Sequence, residues 1–569
     1  MLAHSTPSTP LNNAIMKVQI KQAKLEKFPC DLLVLKWVQG QKMDGSTGAV
    51  DRALGGLIFK MMKEEGFKGK EGEVMTFPVV GRKIGARKVM VLGLGEQKNV
   101  TVDCLRRSAA RIVKEARRQH ARRVGTIFMG TGAAGIDPVR SRARAEGASP
   151  LRTAGAATSN GIDPFVAAKA ITEGALLGRY TYTKYKSKEV RRDSVFPSEL
   201  VIVTAGVHEK ALVHNPSQPP QNSRGGEKFK IVEAERGIRE GKIYADATIF
   251  SRDLVNEPAS NMTPRDLADM AEGLAKDVAG MEVKIYDKNE IEEMGMGAYL
   301  GVAKGSDHPP YFIHLTWRPR TANSKTKTQR IAIIGKGITF DSGGLSLKPA
   351  GSMESMKTDM AGCAAMLGIF SALPKMKPNV EVHGISAVCE NMPSGRAMKP
   401  GDIVRTMSGK TIEVLNTDAE GRLTLADALT YARRLKPQAI VDLATLTGAC
   451  IVALGEEVAG YMGNNRELLD GVKKVAENAG ERIWELPLVD EYREFIKSRV
   501  ADYCNITPGK KGAGAITAGL LLQEFAGKTP WVHLDIAGPA WAEKEVIPYM
   551  SIGGTGFGVR TILELLKTM

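Results

Sequence analysis

The chain has 569 residues, 43% of them hydrophobic and 25% charged, a composition that suits a globular protein with more than one core. It contains no uninterrupted apolar run of about 18 residues, so no membrane-spanning helix is expected. The formal charge of +16 would suit nucleic acid or another acidic partner, but residues 104–152 alone hold twelve Lys or Arg against three Asp or Glu.

Residues 1–15 are rich in Ser, Thr, Pro and Asn, lack a basic-then-apolar leader, and read as a disordered tail, with Met16 opening the first strand. From there to about residue 213, strand and helix patterns alternate. Residues 31–35, 88–92 and 124–129 are short apolar runs of the buried-strand type. Residues 105–123 read as a basic helix with arginines on several faces. Only Ile112 and Val113 in it are strongly apolar, and no aromatics interleave, so a solvated face is expected. Residues 130–135 fit GxGxxG after a strand. They run into Ile136-Asp137-Pro138 and an arginine-rich stretch instead of opening a helix, so no dinucleotide site is expected there. Gly-Ile-Asp-Pro occurs at 135–138 and again at 161–164, with a low-complexity Ala/Arg/Gly/Ser segment between the copies. Residues 139–164 are therefore expected to be a disordered insertion ahead of a helix over 165–178.

A polar break at 216–226 closes an N-terminal domain over 16–226. A long helix over 229–254 follows within a connecting segment, 227–256, and Pro258 stops it. Residues 257–569 form the second domain. Its apolar runs at 331–334, 383–389, 411–415, 439–443 and 532–536 alternate with helical patterns, and 321–329 reads as a surface loop. That alternation predicts a mixed, largely parallel sheet covered on both faces. The six cysteines (Cys30, Cys104, Cys363, Cys389, Cys450, Cys504) show no CxxC pairing, which points to reduced thiols in a cytoplasm and away from disulfides or a structural zinc.

Two stretches carry chemistry. In Asn416-Thr417-Asp418-Ala419-Glu420-Gly421-Arg422-Leu423, the groups Asp418, Glu420 and Arg422 are spaced to face one cavity if the segment is extended. A strand over 410–415 precedes it, and Leu425, Leu429, Ala432 and Leu435 follow at helical spacing, so it occupies a strand-to-helix crossover. Taken alone, it is equally an Asx-turn capping a helix, with Arg422 paired to a surface acid. The second stretch leaves the strand at 331–334 through glycine-rich residues 335–349, which hold Lys336, Asp341 and Lys348. A helix over 353–373 follows, with Asp359 near its start. Glycines allow the backbone to crowd a ligand. Four carboxylates gathered together, Asp341, Asp359, Asp418 and Glu420, would repel one another, and divalent cations are the natural remedy. Two ions about 3.5 Å apart form a hydrolytic clamp. HExxH is absent and all eight histidines lie outside both stretches, which disfavours a mononuclear zinc protease.

These two stretches resemble the signatures of the leucyl (cytosol) aminopeptidase family of dinuclear metallopeptidases. NTDAEGRL is intact, GKGITFDSGGLSLKP matches, and the likeness is good over 227–569 and looser before. The resemblance implies an α/β fold, with an N-terminal macro-like α/β domain and a catalytic α/β/α domain built on a central mixed sheet. It implies that Asp341 and Glu420 bridge two Mn²⁺ or Zn²⁺ ions. Lys336 and Asp359 would complete the tighter ion's shell, and Asp418 the other's, through side chain and carbonyl. Arg422 would hold a bicarbonate as general base, and Lys348 would steady the oxyanion formed by metal-hydroxide attack. The substrate α-amine would bind a metal and Asp359, which makes the enzyme an exopeptidase acting on peptides with a free N-terminus. Met356, Thr445 and Gly448 match positions lining the first specificity pocket, suited to leucine or methionine. The family also implies a homohexamer in the cytoplasm with no membrane partner. His533 is expected to be structural, and Pro539 stands where a hydroxyl or small residue is expected. The rival readings are a two-metal amidase or phosphoesterase, and an additional DNA-binding role through the basic N-terminal domain.

Overall fold

The computed structural model describes residues 16–40, 42–43, 45–129, 162–187, 189, 196–204, 223–319, 329–509 and 512–569, with the backbone alone for 223–230. The tail at 1–15, the GxGxxG at 130–135, nearly all of the insertion at 139–164 and the polar stretches at 216–222 and 321–328 lie outside the described residues. The chain divides into two compact units, residues 1–245 with 546–550, and residues 246–545 with 551–569.

The first unit is built on β1 (Lys17–Gln22), β2 (Cys30–Trp37), β3 (Val74–Pro78), β4 (Ala86–Gly93), β5 (Arg123–Ile127) and β6 (Glu199–Thr204). They form one sheet in the order β1-β6-β5-β2-β4-β3, parallel except for the pairing of β3 with β4. The apolar run of β2 is continuous because both faces are buried. Leu32 and Val34 enter one hydrophobic layer, while Leu33 and Leu35 enter the opposite one. The helix Pro164–Arg179 starts on the second Gly-Ile-Asp-Pro copy: Asp163 accepts from Phe165 N at 2.8 Å and Pro164 takes the first helical position.

The basic helix differs from expectation. It spans Val102–Arg118, and its arginines are not simply solvated. Arg106 is 2% exposed and pairs with Glu173 Oε2 at 2.7 Å and Asp103 Oδ1 at 3.0 Å. Arg107 pairs with Glu71 at 2.8 Å and with Asp103. Glu173 stands far along the chain from Arg106, so sequence order gives no sign that the acid arrives beside it.

The second unit holds β7 (Met281–Tyr286), β8 (Tyr311–Trp317), β9 (Arg330–Gly335), β10 (Gly337–Asp341), β11 (Glu381–Asn391), β12 (Ile403–Arg405), β13 (Thr411–Glu413), β14 (Ala439–Ala444), β15 (Ala459–Gly463), β16 (Ile483–Glu485), β17 (Tyr503–Cys504) and β18 (Trp531–Asp535). The large sheet runs β16-β15-β18-β14-β9-β11-β8-β7, with β10 also paired to β11. Strands β18, β14, β9, β11 and β10 are parallel, while β15, β8 and β7 enter antiparallel contacts, so the sheet is mixed. The carboxyl ends of its parallel strands therefore lie along one edge.

Three local readings are corrected. The strand expected at 411–415 is the three-residue β13, which joins β12 and β17 in a separate small sheet instead of the large one. The helix expected at 353–373 is broken into Ala350–Met353, a 3-10 turn Met356–Met360 and Ala361–Met376, which puts Asp359 in the turn. The segment 418–422 is not extended throughout, because the helix Gly421–Arg434 begins directly after Glu420 and takes Arg422 into its first turn. Asp418 N donates to Asn416 Oδ1 at 2.8 Å, so the Asx-turn and the chemistry coexist.

That helix is anchored through Tyr431, whose hydroxyl lies 3.0 Å from His314 Nδ1 and 2.8 Å from the Tyr286 hydroxyl. His314 Nε2 lies 2.9 Å from His383 Nδ1, and His383 Nε2 lies 2.9 Å from Glu381 Oε1. One set of tautomers satisfies the links from Tyr286 through Tyr431 and His314 to His383, and leaves His383 Nε2 in close contact with Glu381 without hydrogen-bond geometry. A proton added to His383 Nδ1 would set two N–H groups against each other, and one added to His314 Nδ1 would face the Tyr431 O–H. Burial, then His383 and Arg318, pushes His314 down to about 4; Glu282 opposes that fall and Lys284 adds to it. The unfolded chain takes up a proton near 6.5 that the folded chain refuses, so this contribution is complete above about 6.5 and is lost toward about 4. Thermal unfolding followed between these pH values should reveal a loss on the order of 2 kcal/mol after allowance for partial exposure, and His314→Phe should flatten that slope.

Candidate metal centre

The carboxyl edge of the large sheet supplies most of the candidate residues. Lys336 follows β9, Asp341 ends β10, Thr445 follows β14, and the loop after β13 brings Asp418 and Glu420. Lys336 N donates to Leu443 O at 3.0 Å, which fixes the lysine against β14. Two glycines make the approach feasible. Gly343 has φ +85°, and a Cβ there would lie 2.9 Å from Asp418 Oδ1; a Cβ at Gly421 would lie 2.6 Å from Lys336 Cε. The two motif loops are also laced together: Ser346 N donates to Thr417 Oγ1 at 2.8 Å, Thr417 N to Ser346 Oγ at 3.1 Å, and Thr417 Oγ1 to Gly343 O at 2.6 Å.

The side chains converge. Lys336 Nζ lies 2.6 Å from Asp359 Oδ1, 2.7 Å from Glu420 Oε1 and 2.9 Å from Thr445 O. Lys348 Nζ lies 3.0 Å from Asp341 Oδ2 and also touches Asp418 Oδ1. Asp341, Asp418 and Glu420 each offer an oxygen within 4.8 Å of the others. Thr445 Oγ1 donates to Asp359 Oδ1 at 2.7 Å, while Asp359 Oδ2 has no hydrogen-bond partner among the described residues. Asp341, Asp359 and Glu420 are all buried, and Asp418 is half-buried.

Burial, then the neighbouring Glu420, pushes Asp341 up to about 6. Burial likewise drives Asp359 well above the carboxylate range and raises Asp418. Burial would also raise Glu420, but the Lys336 ammonium outweighs it and holds that acid low. The two lysines are opposed by burial too; Asp359 and Glu420 nevertheless raise Lys336, and Asp341 and Asp418 raise Lys348. Four carboxylates thus share two ammonium groups, and one buried oxygen is left over. Oxygen donors at this density fit hard divalent cations. Lys336 could join them as a ligand only after giving up its proton, which adjacent dications favour.

Not every expected residue touches this cluster. Arg422 donates from NH1 to Asn505 O at 2.6 Å, and its Nε has no partner among the described residues. Burial pushes its guanidinium down to about 10. Gly448 opens the helix Gly448–Leu454, and a Cβ built on it meets no heavy atom within 4 Å. Met356, half-buried, opens the 3-10 turn that carries Asp359. His533 lies 2.5 Å from Asp442 Oδ1 and stacks on Trp531, inside the sheet.

Two functional residues were not read from the sequence. Asn505, fully buried, accepts from Leu415 N at 2.8 Å and Asn416 N at 3.3 Å, and donates to Asn416 O at 2.6 Å and Ala419 O at 3.3 Å. Asn391, also buried, donates to Asp341 Oδ1 at 2.8 Å and Thr417 O at 3.0 Å. Both act across long chain separations. The only local signal for Asn391 is its place at the end of a long apolar strand, where a polar residue enters buried ground.

The family model described as "Cytosol aminopeptidase family, catalytic domain" matches residues 249–563, and "Cytosol aminopeptidase family, N-terminal domain" matches residues 33–149. A "Probable cytosol aminopeptidase" of Alkaliphilus oremlandii is 40% identical over 555 residues, covering 97% of this chain and 100% of the relative. One of Aquifex aeolicus is 44% identical over 504 residues, covering 88% of each chain. Among solved structures, a mutant of tomato leucine aminopeptidase superposes with a TM-score of 0.80 at 33% identity, covering 99% of this chain and 98% of that one. The bottromycin maturation enzyme BotP in complex with Mn superposes with a TM-score of 0.74 at 32% identity, covering 95% and 99%.

If the cluster holds divalent ions, Mn²⁺ at 100 times its Kd should stabilise the fold by about 2.7 kcal/mol, seen as a rise in Tm that EDTA reverses. Asp341→Asn should lose most of that rise. A Tm indifferent to Mn²⁺ and Zn²⁺ would show that these acids serve another purpose.

Proposed function

The chain belongs to the cytosol aminopeptidase family, and on that premise we propose that it is a dinuclear-metal exopeptidase releasing N-terminal leucine and other apolar residues from peptides. The observation that carries this reading is the meeting of Lys336, Asp341, Asp359, Asp418 and Glu420 in one buried cluster with Lys348 at its side. Asp341, Asp359, Asp418 and Glu420, with Lys336 once deprotonated, would hold the two ions. The manganese bound by the bottromycin enzyme supports Mn²⁺ as the resident metal, with Zn²⁺ the alternative. When bound, such a pair supplies Lewis acidity toward a carbonyl and lowers the pKa of water.

The remaining work falls to the side chains. Asp359 Oδ2, buried and without a partner among the described residues, is placed to receive a substrate α-ammonium. An internal peptide bond brings no such group, which limits the enzyme to chain ends. Lys348 offers an ammonium to the scissile carbonyl oxygen as it gains charge, a role worth about 3 kcal/mol for comparable donors. Arg422, held by Asn505 and keeping a free Nε, is suited to an anion such as bicarbonate that takes and returns a proton. The Thr445 hydroxyl is spent on Asp359, so its methyl is the part left to a side-chain pocket. Open space at Gly448 supports room for a leucine, with Met356 as a third wall.

No helix among the described residues is long and apolar enough to cross a membrane. A cytoplasmic homohexamer acting on peptides is part of the same reading.

Asp359→Ala should lose one of two bound ions by metal analysis and lower kcat/KM for leucyl-p-nitroanilide on the order of 10²–10³-fold. Full metal content with unchanged turnover would sink the assignment. Gly448→Val should depress leucyl relative to alanyl turnover by roughly tenfold, because the added methyls occupy the space for the longer side chain.

A further inference from the structure

The Asp341 carboxylate is held asymmetrically. Its Oδ1 accepts from Gly343 N at 2.8 Å and from Asn391 Nδ2 at 2.8 Å, whereas Oδ2 faces Lys348 Nζ at 3.0 Å. A carboxylate oxygen has two in-plane lone pairs, so these two N–H donors fill Oδ1. Asn391 stands opposite Asp341 in the parallel register of β10 and β11. The same Nδ2 donates to Thr417 O at 3.0 Å, and the backbone carbonyl of Asn391 accepts from Ser342 N at 3.0 Å and Ser342 Oγ at 2.7 Å. The orientation of the amide follows from its surroundings, because both groups facing Nδ2 are acceptors. Its oxygen packs against Gly344, where a Cβ would lie 2.8 Å away.

We propose that Asn391 is a positioning residue of the metal centre: its side-chain amide completes, with Gly343 N, the saturation of Oδ1 of Asp341, leaves Oδ2 as the oxygen offered to a cation, and ties the Asp341 loop to the loop bearing Asp418 and Glu420. An amide nitrogen carrying protons is no metal ligand, so Asn391 acts through Asp341. Without it, Asp341 loses one of the two donors that fix its plane, and the hydrogen bond from strand β11 to Thr417 goes with it. The charged partners cannot replace that hold, because Lys336 and Lys348 contact the same acids that a cation would bind.

This inference rests on the reading of the cluster as a metal centre, and the test separates the two. Apo wild type, Asn391→Leu, Asn391→Ala and Tyr299→Phe are titrated with Mn²⁺ by calorimetry, with Tm recorded for each apo protein. Tyr299→Phe is the structural control: its buried hydroxyl contacts Val388 O at 2.7 Å and Tyr311 O at 2.9 Å, neither of them a candidate ligand. Both Asn391 variants should weaken Mn²⁺ binding by about 10- to 100-fold, the effect of losing a hydrogen bond to a metal ligand. Tyr299→Phe should lower Tm and leave the Mn²⁺ affinity unchanged. At saturating Mn²⁺, KM of the Asn391 variants should return to the wild-type value. Wild-type affinity in either folded Asn391 variant, or equal weakening in Tyr299→Phe, would overturn the positioning role. No Mn²⁺ binding by wild type would overturn the metal centre itself.

Discussion

Everything in the second unit is subordinate to one electrostatic constraint: three carboxylates and a lysine, Asp341, Asp359, Glu420 and Lys336, are buried together. Taking each ion out of water costs several kcal/mol, and only close, well-directed pairing offsets that. Lys336, at 2.6 Å from Asp359 and 2.7 Å from Glu420, provides it for Glu420, which it holds low, but does not overcome the burial that drives Asp359 well above the carboxylate range. Asp341 is also matched incompletely, so burial and Glu420 together leave it high. The cluster is a local debt of stability, carried by the apolar packing beneath it. Leu423, Leu425, Leu429 and Ala432 of the helix Gly421–Arg434 sit in the same core as Ile334, Ile440 and Trp531 of the sheet.

The sheet explains how residues so far apart in sequence arrive together. Parallel strands β9, β14 and β18 end along one edge, so each following residue emerges beside the next. Lys336 and Thr445 meet by this rule, and Asp535 serves the same edge by accepting from Thr447 Oγ1 at 2.7 Å. The small sheet of β12, β13 and β17 has a different task. It carries Asn505 to the octapeptide, where one side chain satisfies four backbone groups of the turn. A turn that tight, holding two acids against their repulsion, needs its backbone fixed from outside.

What the sequence made legible follows from range. Asp418, Glu420, Lys336 and Asp341 lie in contiguous motifs whose spacing itself carries the chemistry, and the runs that became β2, β4, β9, β14 and β18 are apolar on both faces. Strands β7 and β8 went unread because they pair antiparallel at the sheet margin, where His314 and Thr316 interrupt the apolar pattern for a polar network that only the fold assembles. Arg106 looked solvated because its partner Glu173 belongs to another helix. The broken helix before Asp359 is the same kind of miss: helical spacing continues through 353–373, but the ties of Asp359 to Lys336 and Thr445 accompany a tighter turn at that point.

The division of labour between charged and neutral donors follows from the same constraint. A lysine beside a carboxylate neutralises it, but it occupies the place that a cation would take and must retreat or lose its proton when one binds. A backbone N–H or an amide has no net charge, so it can fix a carboxylate oxygen without competing for the cation. Asp341 has one oxygen under each regime, with Gly343 N and Asn391 Nδ2 on Oδ1 and Lys348 on Oδ2. The neutral side gives the orientation and the charged side gives the exchangeable contact. That split is the physical reason for placing an asparagine, and not a further cation, behind an acid that has to stay both ionisable and still.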